Sequence, residues 1–177
     1  MGRQIRRQVH EQIPRSDSGS GGSEIGAEGV IVAVGGNIGG RSLHAKAGKP
    51  VSHYNFHGVH HDTITGTAEI PPGTHQVRME FKYDGGGLAK GGDVTLYIDA
   101  KEAGKGRIER TEPMVFSADE TLDSGDQYGS PVTPNYPKQK KFNGDVAWVA
   151  IDIDKDAIDL DHLISPEERL KVAMALQ

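Results

Sequence analysis

The sequence predicts an all-β protein, an antiparallel β-sandwich followed by a short C-terminal helix. In two segments apolar residues alternate with polar ones: Val77, Met79 and Phe81 in the first, and Val94, Leu96 and Ile98 in the second. This period of two is typical of strands with one buried face. The glycines from Gly85 to Gly92 lie between the two segments and favour a wide loop. The two strands are therefore expected to be antiparallel neighbours.

In the first half of the chain the sequence predicts four strands, which follow an ambiguous segment and a loop. Residues 2–13 are ambiguous, because Ile5, Val9 and Ile13 fit both a helical stripe and one face of a strand. Residues 16–23 have the composition of a flexible linker or a long hairpin loop. Strands are predicted at Gly29–Val34, Arg41–Lys46, Val51–Phe56 and Asp62–Glu69, with a turn at Ala47–Pro50.

The second half continues the sheets and ends in the helix. Further strands are predicted at Arg107–Arg110, Val115–Leu122 and Asp145–Ile153, which gives about ten to twelve in all. Trp148 lies in the last of these apolar strands and is expected in the core. Ser165 followed by Pro166 and two glutamates has the features of a helix N-terminus.

Composition limits the classes of function. A chain of 177 residues fits one domain, and a net charge of -5 argues against nonspecific binding to nucleic acid or anionic membranes. No apolar run approaches the roughly 18 residues of a membrane span, and residues 1–14 lack the apolar region of a secretory signal. The chain has no cysteine, so disulfides are excluded, but its compartment stays open.

Long runs of the sequence resemble the C-terminal β-domain of the large bacterial arylsulfatases. The similar runs are GVIVAVGGNIGGRSLHAKAGKPVSHYNFHGV at Gly29–Val59, DGGGLAKGGDVTLYIDAKEAGKGRIERT at Asp84–Thr111, FSADETLDSGDQYGSPV at Phe116–Val132 and KFNGDVAWVAIDI at Lys141–Ile153. The Leu-Tyr-Ile-Asp hairpin and the late Phe-Asn-Gly-Asp-Val strand are more distantly similar to laminin-G and concanavalin-type jelly rolls. The resemblance implies a sandwich of jelly-roll character at 27–161, after an N-terminal edge strand and loop at 1–26 and before the helix at 162–177.

The resemblance also implies what this chain lacks. Arylsulfatases of that family act through a formylglycine made from a C/S-x-P-x-R motif, in a catalytic domain that precedes the β-domain. Nothing here fits the motif, since Ser165 is followed at once by Pro166. The chain therefore resembles the accessory domain without its enzyme, and we expect it to be noncatalytic.

Acidic loops suggest a calcium site. Lectin-like jelly rolls hold calcium on such loops, which makes Asp119, Glu120, Asp123 and Asp126 the candidate ligands. The alternative is that these acids cap turns around Gly125 and Gly129. The aspartates from Asp152 onward lack the glycine and glutamate of an EF-hand, and we interpret Asp152 and Asp154 as the exposed face of a strand.

Histidines and tyrosines offer two further candidates. His53, His57, His60, His61 and Asp62 could bind a transition metal, but we interpret them as a solvated, histidine-rich hairpin. Exposed aromatic rings could stack on sugars, and the candidate ligand-binding residues are Tyr54, Tyr83 and Tyr128.

Three classes of function follow from the sequence. The first is a noncatalytic accessory or assembly domain that binds a sulfatase catalytic subunit or a second copy of itself. Its predicted interface is the apolar side of the C-terminal helix, formed by Leu170, Val172, Met174 and Leu176. The second is a stand-alone lectin-like module for a glycan or sulfated ligand. The third, a small hydrolase, has the least support because no nucleophile with a base and an orienting group can be identified.

Overall fold

The residues that the structure describes form two antiparallel sheets of five strands each. The computed structural model describes residues 5–12, for which only the backbone is considered, and residues 26–113, 122–136 and 140–151. The strands are β1 Ile5–Gln12, β2 Gly29–Gly36, β3 Gly39–Lys46, β4 Lys49–Phe56, β5 His60–Thr65, β6 Thr74–Tyr83, β7 Gly92–Ile98, β8 Lys101–Ile108, β9 Leu122–Ser124 and β10 Asp145–Ile151. Sheet A has the order β10-β1-β6-β7-β8, and sheet B has the order β5-β4-β3-β2-β9.

The prediction of an all-β fold built as an antiparallel β-sandwich is confirmed. The chain crosses between the sheets, since β1, β6–β8 and β10 lie in sheet A whereas β2–β5 and β9 lie in sheet B. Consecutive strands within each sheet pair as hairpins, among them β6 with β7 as predicted. The predicted C-terminal helix and the 16–23 loop lie outside the described residues. Within the described part of the chain, no helix is long and apolar enough to cross a membrane.

The N-terminal strand exists, but its predicted edge position is wrong. The backbone of β1 pairs with β6 on one side and with β10 on the other. The late strand β10 therefore occupies this edge of sheet A, and β8 lies at the other. Sequence similarity does not reveal this order, because the first and last strands are far apart in the chain and become neighbours only in the folded sheet.

The core lies between the two sheets and follows the predicted alternation. Val77, Val94 and Leu96 are fully buried, and they pack with Leu43 and Ile64 from the opposite sheet. Trp148 is not a core residue, because its side chain is 45% exposed. Val149, its neighbour on β10, packs against the core instead, and side chains alternate along a strand. The prediction for Trp148 is therefore wrong.

The β7–β8 hairpin has an unfavourable turn residue. Asp99 and Ala100 connect the strands with positive φ values of 48° and 66°. A two-residue turn with both φ values positive favours glycine at its second position, because a Cβ crowds the backbone there. Asp99 suits its position, since its Oδ1 accepts a hydrogen bond of 2.9 Å from the Gln76 backbone N–H.

We predict that Ala100→Gly stabilises the protein. Relief of the left-handed strain should exceed the entropy cost of glycine and raise the free energy of unfolding by about 1 kcal/mol. Chemical unfolding with urea measures the change. Ala68→Gly is the matched control, since Ala68 is exposed and has no positive φ, and it should be neutral or destabilising. A loss of stability in Ala100→Gly would contradict the strain argument.

Candidate functional site

The outer face of sheet B carries a layer of polar side chains that are buried. Ser42 and His44 on β3 and His53 and Asn55 on β4 are each at most 4% exposed. Part of the segment that follows β9 covers this face, and Val132 packs there against Val30 and Ala33 of β2. We call these four residues, Ser42, His44, His53 and Asn55, the polar layer. It forms a second, smaller interior beside the main core.

The two histidines of the polar layer are held neutral by burial. Loss of hydration lowers the pKa of His44 to about 3 and that of His53 to about 4, and neighbouring positive charge adds to both effects. His53 Nδ1 lies 2.8 Å from Thr63 Oγ1, and its Nε2 lies 3.0 Å from His61 Nδ1. Either neutral tautomer can satisfy both contacts, because one ring nitrogen donates and the other accepts.

A serine and a histidine meet in the layer, but the pair is closed to substrate. Ser42 Oγ lies 3.2 Å from His44 Nδ1, a distance close to that required between a nucleophile and its base. The Tyr136 ring packs edge-on against the His44 ring, with 5.1 Å between their centroids. Because Ser42 is only 4% exposed, the pair has the surroundings of a packed interior.

Asn55 joins three separate segments at one end of the sandwich. Its Nδ2 lies 3.1 Å from three carbonyl oxygens, those of Gly36, Asn37 and Val132. Its Oδ1 accepts a 2.7 Å hydrogen bond from the Gly58 backbone N–H. The side chain therefore fixes the β2–β3 turn, the β4–β5 turn and the segment after β9 relative to one another.

Glu112 fixes the same end from the opposite sheet. Its side chain is 2% exposed, and its Oε1 lies 3.0 Å from His57 Nδ1 and accepts a 3.2 Å bond from the His57 backbone N–H. The Glu112 backbone N–H also donates to the Tyr54 hydroxyl at 2.8 Å. Burial raises the pKa of the Glu112 carboxyl, against the effect of His57. The chain leaving β8 is thus anchored beneath the β4–β5 turn.

Two large apolar side chains project from this end into solvent. Ile38, in the β2–β3 turn, is 65% exposed, and Val59, in the β4–β5 turn, is 79% exposed. The two turns touch, since a Cβ on Gly58 would lie 2.8 Å from the Asn37 carbonyl oxygen. We call this surface, Asn37, Ile38, His57, Gly58 and Val59, the loop end. It presents apolar groups on turns that Asn55 and Glu112 hold in place.

The three candidate tyrosines have different surroundings. Tyr54 is 4% exposed and lies in the core, where burial raises its pKa to about 12. Tyr83 is half-buried, and its hydroxyl donates to the Gly87 carbonyl at 2.5 Å. Tyr128 is 85% exposed. The structure does not bring the three rings onto one accessible surface, because Tyr54 offers no ring face to solvent.

The candidate metal ligands are only partly described. Asp119 and Glu120 lie outside the described residues, so the calcium site stays a prediction. Asp126 Oδ1 accepts a 2.7 Å bond from the Gln127 N–H, and Asp123 Oδ2 accepts a 3.4 Å bond from the Tyr128 N–H. Across the part of the chain that the structure describes, no three His, Asp or Glu side chains are grouped so that they could hold a metal ion.

The sequence predicts that the histidine-rich hairpin is solvated, but only part of it is. His57 is exposed, but His53 is 1% exposed because β4 has buried residues on both of its faces. His60 Nε2 lies 2.9 Å from Asp62 Oδ1. The solvated interpretation is therefore wrong at His53. The predicted interface residues Leu170, Val172, Met174 and Leu176 lie outside the described residues.

A shallow groove on the outer face of sheet A combines an aromatic ring with charges. The Arg78 guanidinium stacks 3.9 Å from the centroid of the Tyr97 ring, and the Tyr97 hydroxyl donates to Glu80 Oε2 at 3.1 Å. Lys82, Lys105 and Arg107 line the groove together with Asp93 and Thr95. Arg107 is paired with Asp84 at 2.5 Å, so part of this positive charge is already compensated.

Sequence reasoning missed Asn55 and Glu112, the two residues that organise the loop end. Asparagine is uncommon inside strands, so Asn55 in an otherwise strand-like segment, three residues before Gly58, is a usable signal. Glu112 carries no such signal, because its partners are His57 and Tyr54, more than fifty residues away. Only the folded chain brings it to them.

Comparison with known proteins finds a solved structure to which the chain is similar, but it identifies no family. No family model matches the chain, and no curated protein matches it. Among solved structures it is similar to a native heptameric SAP-like pentraxin from Limulus polyphemus, with 14% sequence identity and a TM-score of 0.43. The likeness covers 84% of this chain, which spans 63% of the pentraxin chain. Function is therefore inferred from the residues of this chain.

Proposed function

We propose that this chain is a noncatalytic accessory domain, of the kind found at the C-terminus of arylsulfatases, that assembles with a sulfatase-type catalytic subunit. The loop end is its contact surface. The observation that carries the proposal is the exposure of Ile38 and Val59 on two touching turns. Large apolar side chains that are solvent-exposed and rigidly held are typical of protein contacts.

The arrangement of the loop end supports binding without rearrangement. Asn55 makes contacts to both turns, and Glu112 anchors the β4–β5 turn through the His57 N–H. A surface that is ordered before binding loses less conformational entropy when it meets its partner.

The noncatalytic part of the proposal predicts that the purified chain does not hydrolyse sulfate esters. It has no C/S-x-P-x-R motif from which a formylglycine could be made, and the Ser42–His44 pair is buried. The measurement is release of the phenol from an aryl sulfate with calcium present. Turnover that follows the protein through successive purification steps would refute the noncatalytic assignment.

The contact surface can be tested by charge substitution. We expect the chain to bind an arylsulfatase catalytic domain that lacks its own β-domain, and the double variant Ile38→Asp/Val59→Asp to bind at least about tenfold more weakly. Sedimentation velocity of the mixture measures the association. The double variant should keep its melting temperature, since both side chains are exposed.

The matched control is Ala68→Asp, which adds an acid at an exposed position near the opposite end of the sandwich. It should bind as the unsubstituted chain does. Equal binding by the double variant would remove the loop end from the proposal, whereas equal loss in the Ala68→Asp variant would indicate a general charge effect.

The groove on sheet A favours a second candidate function, a lectin-like module for a sulfated glycan. An accessible tyrosine edge beside Lys82, Lys105 and Arg107 suits stacking on a sugar and pairing with sulfate. Titration with a sulfated oligosaccharide distinguishes the two functions. Saturable binding that Lys105→Ala weakens and Ile38→Asp/Val59→Asp does not would favour the lectin-like module.

A further inference from the structure

The two edge strands β9 and β10 leave an open seam in the sandwich. Leu122 on β9 pairs in register with Val34, which lines a largely apolar cleft together with Val149 and Ile151 of β10. Arg41 of β3 also lines this cleft and is the one charged side chain in its lining. The four apolar side chains are on the strand faces that point toward the space between the two sheets, yet Leu122 is 51% exposed and Ile151 is 39% exposed. We call these four residues, Val34, Leu122, Val149 and Ile151, the open seam.

The seam is closed at one end and open at the other. A Cβ on Gly125, immediately after β9, would lie 3.8 Å from Val146 Cγ2 on β10. Leu122 and Ile151 are at the other ends of the same two strands, and there they stay exposed. At the floor of the cleft lie Val32, Leu43 and Met79, so the opening leads toward the main core.

We propose that the C-terminal segment of this same chain, residues 165–177, covers the open seam. On the helix that the sequence predicts, residues four apart share a face, so the side chains that enter the seam are Leu170 and Met174. The chain leaves the described structure at Ile151, which is itself a wall of the seam. Residues 152–164 follow, and at roughly 3.3 Å per extended residue they are long enough to return to it.

Two features favour this occupant over a separate molecule. Four large apolar side chains lie within seven residues, and Lys171 is the one charged residue among those seven. Attachment to β10 also gives the segment a high effective concentration at the seam, which a second copy or a partner lacks in dilute solution. The proposal does not depend on the accessory function, because it concerns contacts within one chain.

Cross-linking of the full-length protein tests the proposal directly. The natural chain has no cysteine, so the pair Leu122→Cys/Leu170→Cys supplies the only two thiols. A short bis-maleimide should join them within one chain at low protein concentration, and the control pair Ala68→Cys/Leu170→Cys should not be joined. Joining only between chains would overturn the proposal in favour of a second copy, and no joining of either kind would overturn it altogether.

Deletion of residues 165–177 gives an independent readout. Removing the segment would expose the apolar side chains of the seam, so a dye that binds apolar surface, such as ANS, reports on its covering. We expect the deletion to lower the melting temperature and raise the dye fluorescence, and a peptide of residues 165–177 to reverse both changes. Leu170→Asp should reproduce the deletion, whereas Lys171→Asp should not. Unchanged melting and dye fluorescence after deletion would contradict the proposal.

Discussion

Replacement of Asn55 by alanine is expected to destabilise the protein by about 4 kcal/mol. The substitution removes the donors that lie 3.1 Å from the carbonyl oxygens of Gly36, Asn37 and Val132 and the acceptor for the Gly58 N–H. Asn55 is 1% exposed, so water does not readily replace it, and each buried group left without a partner costs about 1–3 kcal/mol. For a protein of this size the melting temperature should fall by roughly 8–16 °C.

The matched control is Asn143→Ala. Asn143 also makes two backbone contacts, donating to the Gly26 carbonyl and accepting from the Glu28 N–H, but it is exposed. Water can replace its contacts, so the loss should stay below about 1 kcal/mol. Asn55→Asp should be as damaging as Asn55→Ala, since a carboxylate would face carbonyl oxygens. Equal effects of Asn55→Ala and Asn143→Ala would contradict the role assigned to Asn55.

The free energy of unfolding is expected to fall by roughly 4 kcal/mol between pH 7 and pH 5. The pKa values of His44 and His53 are lowered to about 3 and about 4 in the folded protein, whereas an unfolded histidine titrates near 6.5. Below pH 6.5 the unfolded chain therefore binds two protons that the folded chain does not. Stability is lost as the pH falls, by up to about 1.4 kcal/mol per unit and histidine, until the folded pKa is reached.

Urea unfolding at several pH values measures this slope. Glu112 contributes with the opposite sign, because its raised pKa favours proton uptake by the folded protein. His44→Gln and His53→Gln should each reduce the slope by about half. If either variant fails to fold, ring proton shifts of the two histidines in the unsubstituted protein should still remain at their neutral values down to pH 5. A flat stability between pH 7 and pH 5 would refute the assignment of buried neutral histidines.

The sequence predicts where the strands lie better than it predicts which strands are adjacent in a sheet. Alternation correctly locates β6 and β7, because one face of each strand packs on the core. The apolar strand around Trp148 predicts a core position for it, but its neighbour Val149 is the residue that packs on the core. The resemblance places β1 at an edge, which is wrong because strand order depends on how the sheet closes. The tightly spaced histidines suggest solvent or metal, yet a covered second face of sheet B turns His53 into an interior residue.

The candidate site is less predictable because its parts are distant in sequence. The exposure of Ile38 and Val59 is unusual for such residue types, and it follows from their positions at the tips of turns. The contacts that hold these turns, from Asn55 to Val132 and from Glu112 to His57, cross long stretches of chain. Local pattern reasoning does not reach such contacts.

The proposed assembly can be measured most directly through the stability of the partner. We predict that the chain raises the melting temperature of an arylsulfatase catalytic domain lacking its own β-domain, since a ligand at a hundred times its Kd stabilises by about 2.7 kcal/mol. The Ile38→Asp/Val59→Asp variant should give less stabilisation at the same concentration, and Ala68→Asp should give as much as the natural chain. A catalytic domain whose melting is unaffected by the folded chain at every concentration reached would contradict the accessory function.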